Sequence, residues 1–97
     1  MKRLDQYCSV EFSVDDIGVP YHFRIWHMDP NSNFIVIRED SRILPHLQVG
    51  ARLKMKYYHP GDVYPEGIKE TAIKDISRDE QGRFKGHFLV GLELLGE

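Results

Sequence analysis

Apolar and polar positions alternate with period two along most of this chain. From Tyr7 to Asp15, Cys8, Val10, Phe12 and Val14 oppose Ser9, Glu11, Ser13 and Asp15, which predicts a strand with one face in a core. Cys8 is in phase with Val10 and Phe12 and reads as a small core residue. Asp15 to Pro20 is a turn, because Gly18 can take positive φ and Pro20 cannot donate to a ladder. Tyr21 to Met28 resumes as a strand with Tyr21, Phe23 and Ile25 inward and His22 and Arg24 outward. After Ile25 the phase fails, since Trp26 and Met28 are apolar on the other face, so a bulge or strand end is expected there.

Asp29-Pro-Asn-Ser-Asn33 is the densest turn signal. The run from Phe34 to Ile37 is apolar at every position, as in a strand covered on both faces. Between Glu39 and Gly50 strand alternation is absent; a single helical turn fits Ser41 to His46, with Pro45 limiting its length. From Ala51 to Tyr58, Leu53, Met55 and Tyr57 face in while Arg52, Lys54, Lys56 and Tyr58 form an outer stripe. His59 to Gly67 carries two prolines and two glycines and reads as the best candidate for a mobile loop. Ile68 to Ser77 is a less regular strand, and Arg78 to Gly82 a polar turn. The last stretch, Arg83 to Leu95, places Phe84, Gly86, Phe88, Val90, Leu92 and Leu94 on one face of a long closing strand. Its two internal glycines suit a bend at a barrel corner. Six strands, little helix and turn signals every few residues predict an all-β fold, a six-stranded antiparallel barrel.

Composition narrows the function classes. Ninety-seven residues make one domain, 1–97, in which residues 1–6 read as a polar, mobile tail. With 41% hydrophobic and 29% charged residues the chain has the composition of a soluble globular domain. No apolar run approaches a membrane span and no apolar leader precedes the first strand, so no membrane insertion and a cytoplasmic location are expected. One cysteine excludes an intramolecular disulfide. A net charge of −2 gives no global attraction to nucleic acid, which is not the expected partner.

Catalytic chemistry finds no foothold. His22, His27, His46, His59 and His87 show no metal-ligand spacing, no serine sits in a nucleophile elbow, and no glycine-rich loop precedes a helix. A non-enzymatic protein without cofactor or metal is expected. The stripe Arg52, Lys54, Lys56 and Tyr58 supplies the alternative reading, an oligonucleotide-binding barrel in which lysines meet phosphates and the tyrosine stacks a base. Arg38 and Arg42, four apart, could clamp a phosphate but are read as a solvated connector. Trp26 and Tyr58 would be contact anchors if they face outward.

Taken in order, the elements resemble the PilZ domain, the small β-barrel of bacterial cyclic di-GMP receptors. The resemblance rests on Tyr21-His-Phe-Arg-Ile25 before a polar turn, Phe34-Ile-Val-Ile37 after it, Leu47-Gln-Val-Gly50 before Arg52-Leu-Lys-Met55, and the closing Gly86-His-Phe-Leu-Val-Gly-Leu-Glu-Leu94. It implies a split six-stranded barrel and a role in second-messenger signalling. In that family an Arg-x-x-x-Arg ahead of the first strand and an Asp/Asn-x-Ser-x-x-Gly after the second hold the dinucleotide. Here only Lys2 and Arg3 stand at the first place, and His27-Met-Asp29-Pro-Asn-Ser32 at the second. Arg38/Arg42 and Asp75-Ile-Ser77 echo these motifs in other elements, and no function is carried onto them. Losing paired arginines removes charge-assisted hydrogen bonds of about 1.5–3 kcal/mol each. The resemblance therefore implies cyclic di-GMP as a weak ligand or none, and action through an unidentified protein partner. Any surviving site would have Lys2 and Arg3 folding over His27, Asp29 and Ser32.

Overall fold

The computed structural model describes residues 6–29 and 32–95 and shows seven antiparallel strands in one sheet. They are β1 (Ser9–Phe12), β2 (Tyr21–Arg24), β3 (Trp26–Asp29), β4 (Ser32–Ile37), β5 (Arg52–Tyr58), β6 (Gly67–Arg78) and β7 (Phe88–Leu94). The order across the sheet is β2-β1-β5-β6-β7-β4-β3. The strands at the two ends, β2 and β3, are consecutive in the chain and separated by Ile25 alone. One bent run of chain thus belongs to both margins, and the sheet curls into a nearly closed barrel. The Ile25 amide donates to the Cys8 carbonyl at 2.8 Å across the seam, and the Ile25 side chain is buried.

The single strand expected over Tyr21 to Met28 is therefore two, and the count is seven instead of six. The break falls where the apolar phase fails. Up to Ile25 the odd positions point inward; Trp26 then turns its ring to the outside, where it pairs across the ladder with Phe34.

Inside the barrel Val10 of β1, Ile35 of β4, Met55 and Tyr57 of β5, Ile73 of β6 and Val90 of β7 are almost completely buried. Tyr57 donates to or accepts from Thr71 Oγ1 at 2.5 Å, which satisfies two polar groups in the deepest part of the core. Burial pushes the Tyr57 phenol up to about 12. Leu44–His46 forms one 3₁₀ turn, within the segment expected to be helical and with Pro45 in its first turn. No helix among the described residues is long and apolar enough to cross a membrane.

Two expectations are corrected. Cys8 is half-buried, its thiol beside Ser9 Oγ, and Tyr7 takes the core position instead, because the alternation does not extend before Ser9. The strand read from Arg83 to Leu95 begins only at Phe88. Before it, Asp79 organises a turn, accepting from the amides of Gly82 at 2.7 Å and Phe84 at 2.9 Å. Those amides hold the Asp79 carboxyl below its usual range. Gly86 leaves the turn at φ +86°, a conformation that opposes side chains and suits glycine. The loop read from His59 to Gly67 is tied at its base: His59 Nε2 meets Glu66 Oε1, and the imidazole packs on Tyr7 with ring centroids 4.9 Å apart.

The His59–Glu66 pair makes the tie pH-dependent. Its hydrogen bond to Glu66 raises the His59 pKa above 6.5, and the same bond lowers that of Glu66 below 4.5. A raised histidine stabilises below pH 6.5 and loses that contribution as pH climbs through its folded value. A lowered carboxyl stabilises above pH 4.5 and loses it as pH falls. Nitrogen-relaxation order parameters for residues 60–65 are expected to peak between those limits and fall at alkaline pH. A His59→Gln protein with the same alkaline fall would refute this.

Candidate functional site

Outward-facing residues of β3, β4, β7 and β6 line up in one row across the sheet. Trp26 pairs with Phe34, Phe34 with Gly91, and Gly91 with Asp75. Strand spacing makes this row about 14 Å long. A bulge in β6 sets it: the register shifts between Ile73 and Asp75, leaving Lys74 as the extra residue. Before the bulge Thr71 and Ile73 point inward; after it Ile76 does, so Asp75 and Ser77 are carried to the outer face.

Glycine at position 91 leaves a gap in the middle of the row. The gap is the floor of a cleft of about 190 Å³ walled by Ser32, Asn33 and Phe34 on one side and by Lys74, Asp75 and Ser77 on the other. A Cβ at position 91 would lie 2.7 Å from Asp75 Oδ1, so the Asp75 carboxylate leans over the glycine.

At the Trp26 end the face is aromatic and cationic. Phe84, brought over by the Asp79 turn, meets Trp26 edge-on with centroids 4.9 Å apart and covers Phe34 at 6.0 Å. The Arg24 guanidinium lies 3.9 Å from the indole centroid and that of Arg83 4.6 Å from it. Such stacking is attractive by about 0.5–1 kcal/mol at exposed sites and fixes the guanidinium plane. Neither arginine has a carboxylate within ion-pair distance among the described side chains.

The residues singled out in the sequence distribute unevenly around this face. His27, next to Trp26, turns its ring toward the seam. Its Nδ1 lies 2.5 Å from Asn33 Oδ1 and its Nε2 3.2 Å from the Tyr7 carbonyl, so both edges of the ring face oxygens at the seam, and the tautomer sets which nitrogen donates. Ser32 lines the cleft. Lys2 and Arg3 lie outside the described residues, as does the side chain of Asp29. Asp75 and Ser77, set aside in the sequence because they fall late in the chain, stand opposite Ser32 across β7. Arg38 instead bonds its neighbour Asp40 at 3.2 Å, while Arg42 is exposed in the connector before the 3₁₀ turn.

The alternative stripe lies on β5, next to β1 and β6 and away from the cleft. Arg52, Lys54 and Lys56 are all exposed. In the ladder Lys56 stands opposite Glu11 and Lys54 opposite Glu70. The Tyr58 hydroxyl donates to Glu11 Oε1 at 2.8 Å and its ring packs on His22. Cations and carboxylates therefore alternate across this surface, and the hydroxyl that would border a stacked base is engaged.

Sequence reasoning missed Arg24, Arg83 and Phe84 as a group. They come from two distant segments, and nothing local marks them as neighbours. A strongly outward Arg24 beside the phase break at Ile25 was the one available hint. Among known proteins, no family model, no curated protein and no solved structure matches this chain.

Proposed function

We propose that this chain is a PilZ-like bacterial signalling module that binds cyclic di-GMP weakly or not at all and acts through protein contacts. The observation that carries the reading is how His27 is used. It occupies the place where the resemblance would put a ligand-holding residue, yet both of its ring nitrogens serve the barrel seam. An imidazole whose two edges both face the protein presents neither of them to a nucleobase. Beside it, the half-exposed Trp26 with its two stacked guanidiniums offers what protein interfaces favour, aromatic area and arginine. No observation favours the oligonucleotide reading, because its cationic stripe is interleaved with Glu11 and Glu70.

Titration calorimetry of the full chain with cyclic di-GMP tests this. No saturable heat is expected at low-micromolar concentration. Low-micromolar binding that disappears in Arg3→Ala would overturn the reading, by placing the N-terminal segment in a working ligand site.

A further inference from the structure

The two ends of the Trp26–Phe34–Gly91–Asp75 row differ in charge: two guanidiniums meet at one, and a carboxylate with the exposed Lys74 beside it stands at the other. At one end Arg24 and Arg83 stack on Trp26, and the exposed Lys85 follows in the same turn. A guanidinium over an aromatic ring keeps its N–H donors in the ring's surroundings, and a guanidinium takes a carboxylate with two hydrogen bonds. In the middle Gly91, Phe34 and Leu89 give an apolar floor. At the far end Asp75 and Ser77 supply acceptors and a hydroxyl donor suited to main-chain amides, with Lys74 beside them.

We propose that this face docks an acidic segment of a partner protein, with an apolar side chain seated over Gly91 and carboxylates against Arg24 and Arg83. The proposal rests on the protein-contact reading above and adds where the contact is and what chemistry it takes. Charge complementarity selects the occupant. The chain carries a net charge of −2, yet here two guanidiniums meet over one indole with no carboxylate partner among the described side chains. A peptide also brings main-chain N–H groups to the Asp75 and Ser77 oxygens, which a phosphate polyanion lacks. A basic partner would meet like charge at Arg24 and Arg83.

Trp26 is the only tryptophan, so its fluorescence reports on this face directly. The probe is a capped hexapeptide, Asp-Glu-Leu-Phe-Glu-Asp, compared with one carrying lysine at the four acidic places. Backbone amide shifts are followed in parallel. The acidic probe is expected to saturate the Trp26 signal at high-micromolar to millimolar concentration and to shift amides of β4, β7 and the turn at residues 79–87. Arg83→Glu, an exposed loop change, is expected to weaken it at least tenfold. Gly91→Ala, which pushes the Asp75 carboxylate aside and fills the cleft, is expected to weaken it by a similar factor. Equal binding of the lysine peptide, shifts confined to another part of the barrel, or no response at millimolar acidic probe would each overturn the proposal. Those failures leave the protein-contact reading standing if the calorimetry with cyclic di-GMP is also silent. Saturation of the Trp26 signal by low-micromolar cyclic di-GMP, lost in Arg83→Glu, would overturn both.

Discussion

Replacing Ile35 with alanine is expected to destabilise this barrel by about 2–5 kcal/mol, a large share of the total for one small domain. Ile35 is fully buried at the centre of β4, paired with Val90 on β7, and β4 is held by ladders to β7 on one side and β3 on the other. A closed sheet relaxes poorly into a cavity, because moving one strand inward stretches two ladders. The loss thus contains both the transfer free energy of the missing methyl groups and the cost of the void they leave. In a domain of this length each kcal/mol lowers the melting temperature by about 4–8 °C. Val36→Ala is the internal control: the next residue along, half-buried and outward, it is expected to cost far less. Thermal melts that place the two variants together would refute the assignment of β4's faces.

The second large effect belongs to Tyr57 and Thr71. Tyr57→Phe keeps the ring and removes the hydroxyl, leaving Thr71 Oγ1 buried with only a 3.5 Å contact to the Lys69 carbonyl. An orphaned buried hydroxyl costs about 1–3 kcal/mol. Thr71→Val orphans the phenol in the same way. The double variant leaves no orphan, so its loss is expected to fall well short of the sum of the two. Strict additivity in denaturant melts would mean that the two hydroxyls are not paired. The same phenol predicts alkaline behaviour. Its folded pKa, about 12, lies above the ordinary 10.0, so its contribution is complete below pH 10 and is lost as pH rises toward 12. Each pH unit in that interval removes up to about 1.4 kcal/mol. Tyr57→Phe is expected to lack that part of the alkaline loss.

Much of this architecture could be read from alternation. Met55 and Tyr57 fell inward and the stripe of Arg52, Lys54 and Lys56 outward because β5 is a regular strand between two neighbours. The break at Ile25 announced itself as a failure of phase. The errors share a different cause. Phe84 has the parity of Phe88 and Val90, and parity cannot tell a strand from a turn that happens to hold an aromatic at an even offset. What settles the matter is Asp79 reaching three to five residues ahead for backbone amides, and Gly86 at positive φ. The signal was present as Asp79 followed by Gly82, but a long apolar face outweighed it. Tyr7 and Cys8 exchanged roles for a related reason, since the strand's alternation was carried past its first paired residue.

The candidate face was hardly legible at all. Its row exists because β4 and β3 meet β7 across the barrel, and because one bulge in β6 carries Asp75 and Ser77 outward. Neither register nor bulge is written in local composition. Asp75 and Ser77 were noticed and set aside on grounds of chain order, whereas proximity in a barrel follows strand order.

The bend at Ile25 also limits how this protein can be recognised. Many sheet proteins accept a partner by letting it add one more strand to an exposed edge, where unpaired amides and carbonyls wait. Here the two marginal strands are four residues each and run into one another, so no long row of unpaired backbone groups is on offer. Whatever binds must read side chains on the outside of the wall. At the proposed face it would do so beside the latch that holds the wall shut, because Arg24 and Trp26 are the residues on either side of Ile25. A partner that favours their present arrangement therefore also resists the opening of the barrel, and its affinity can be measured as a rise in melting temperature.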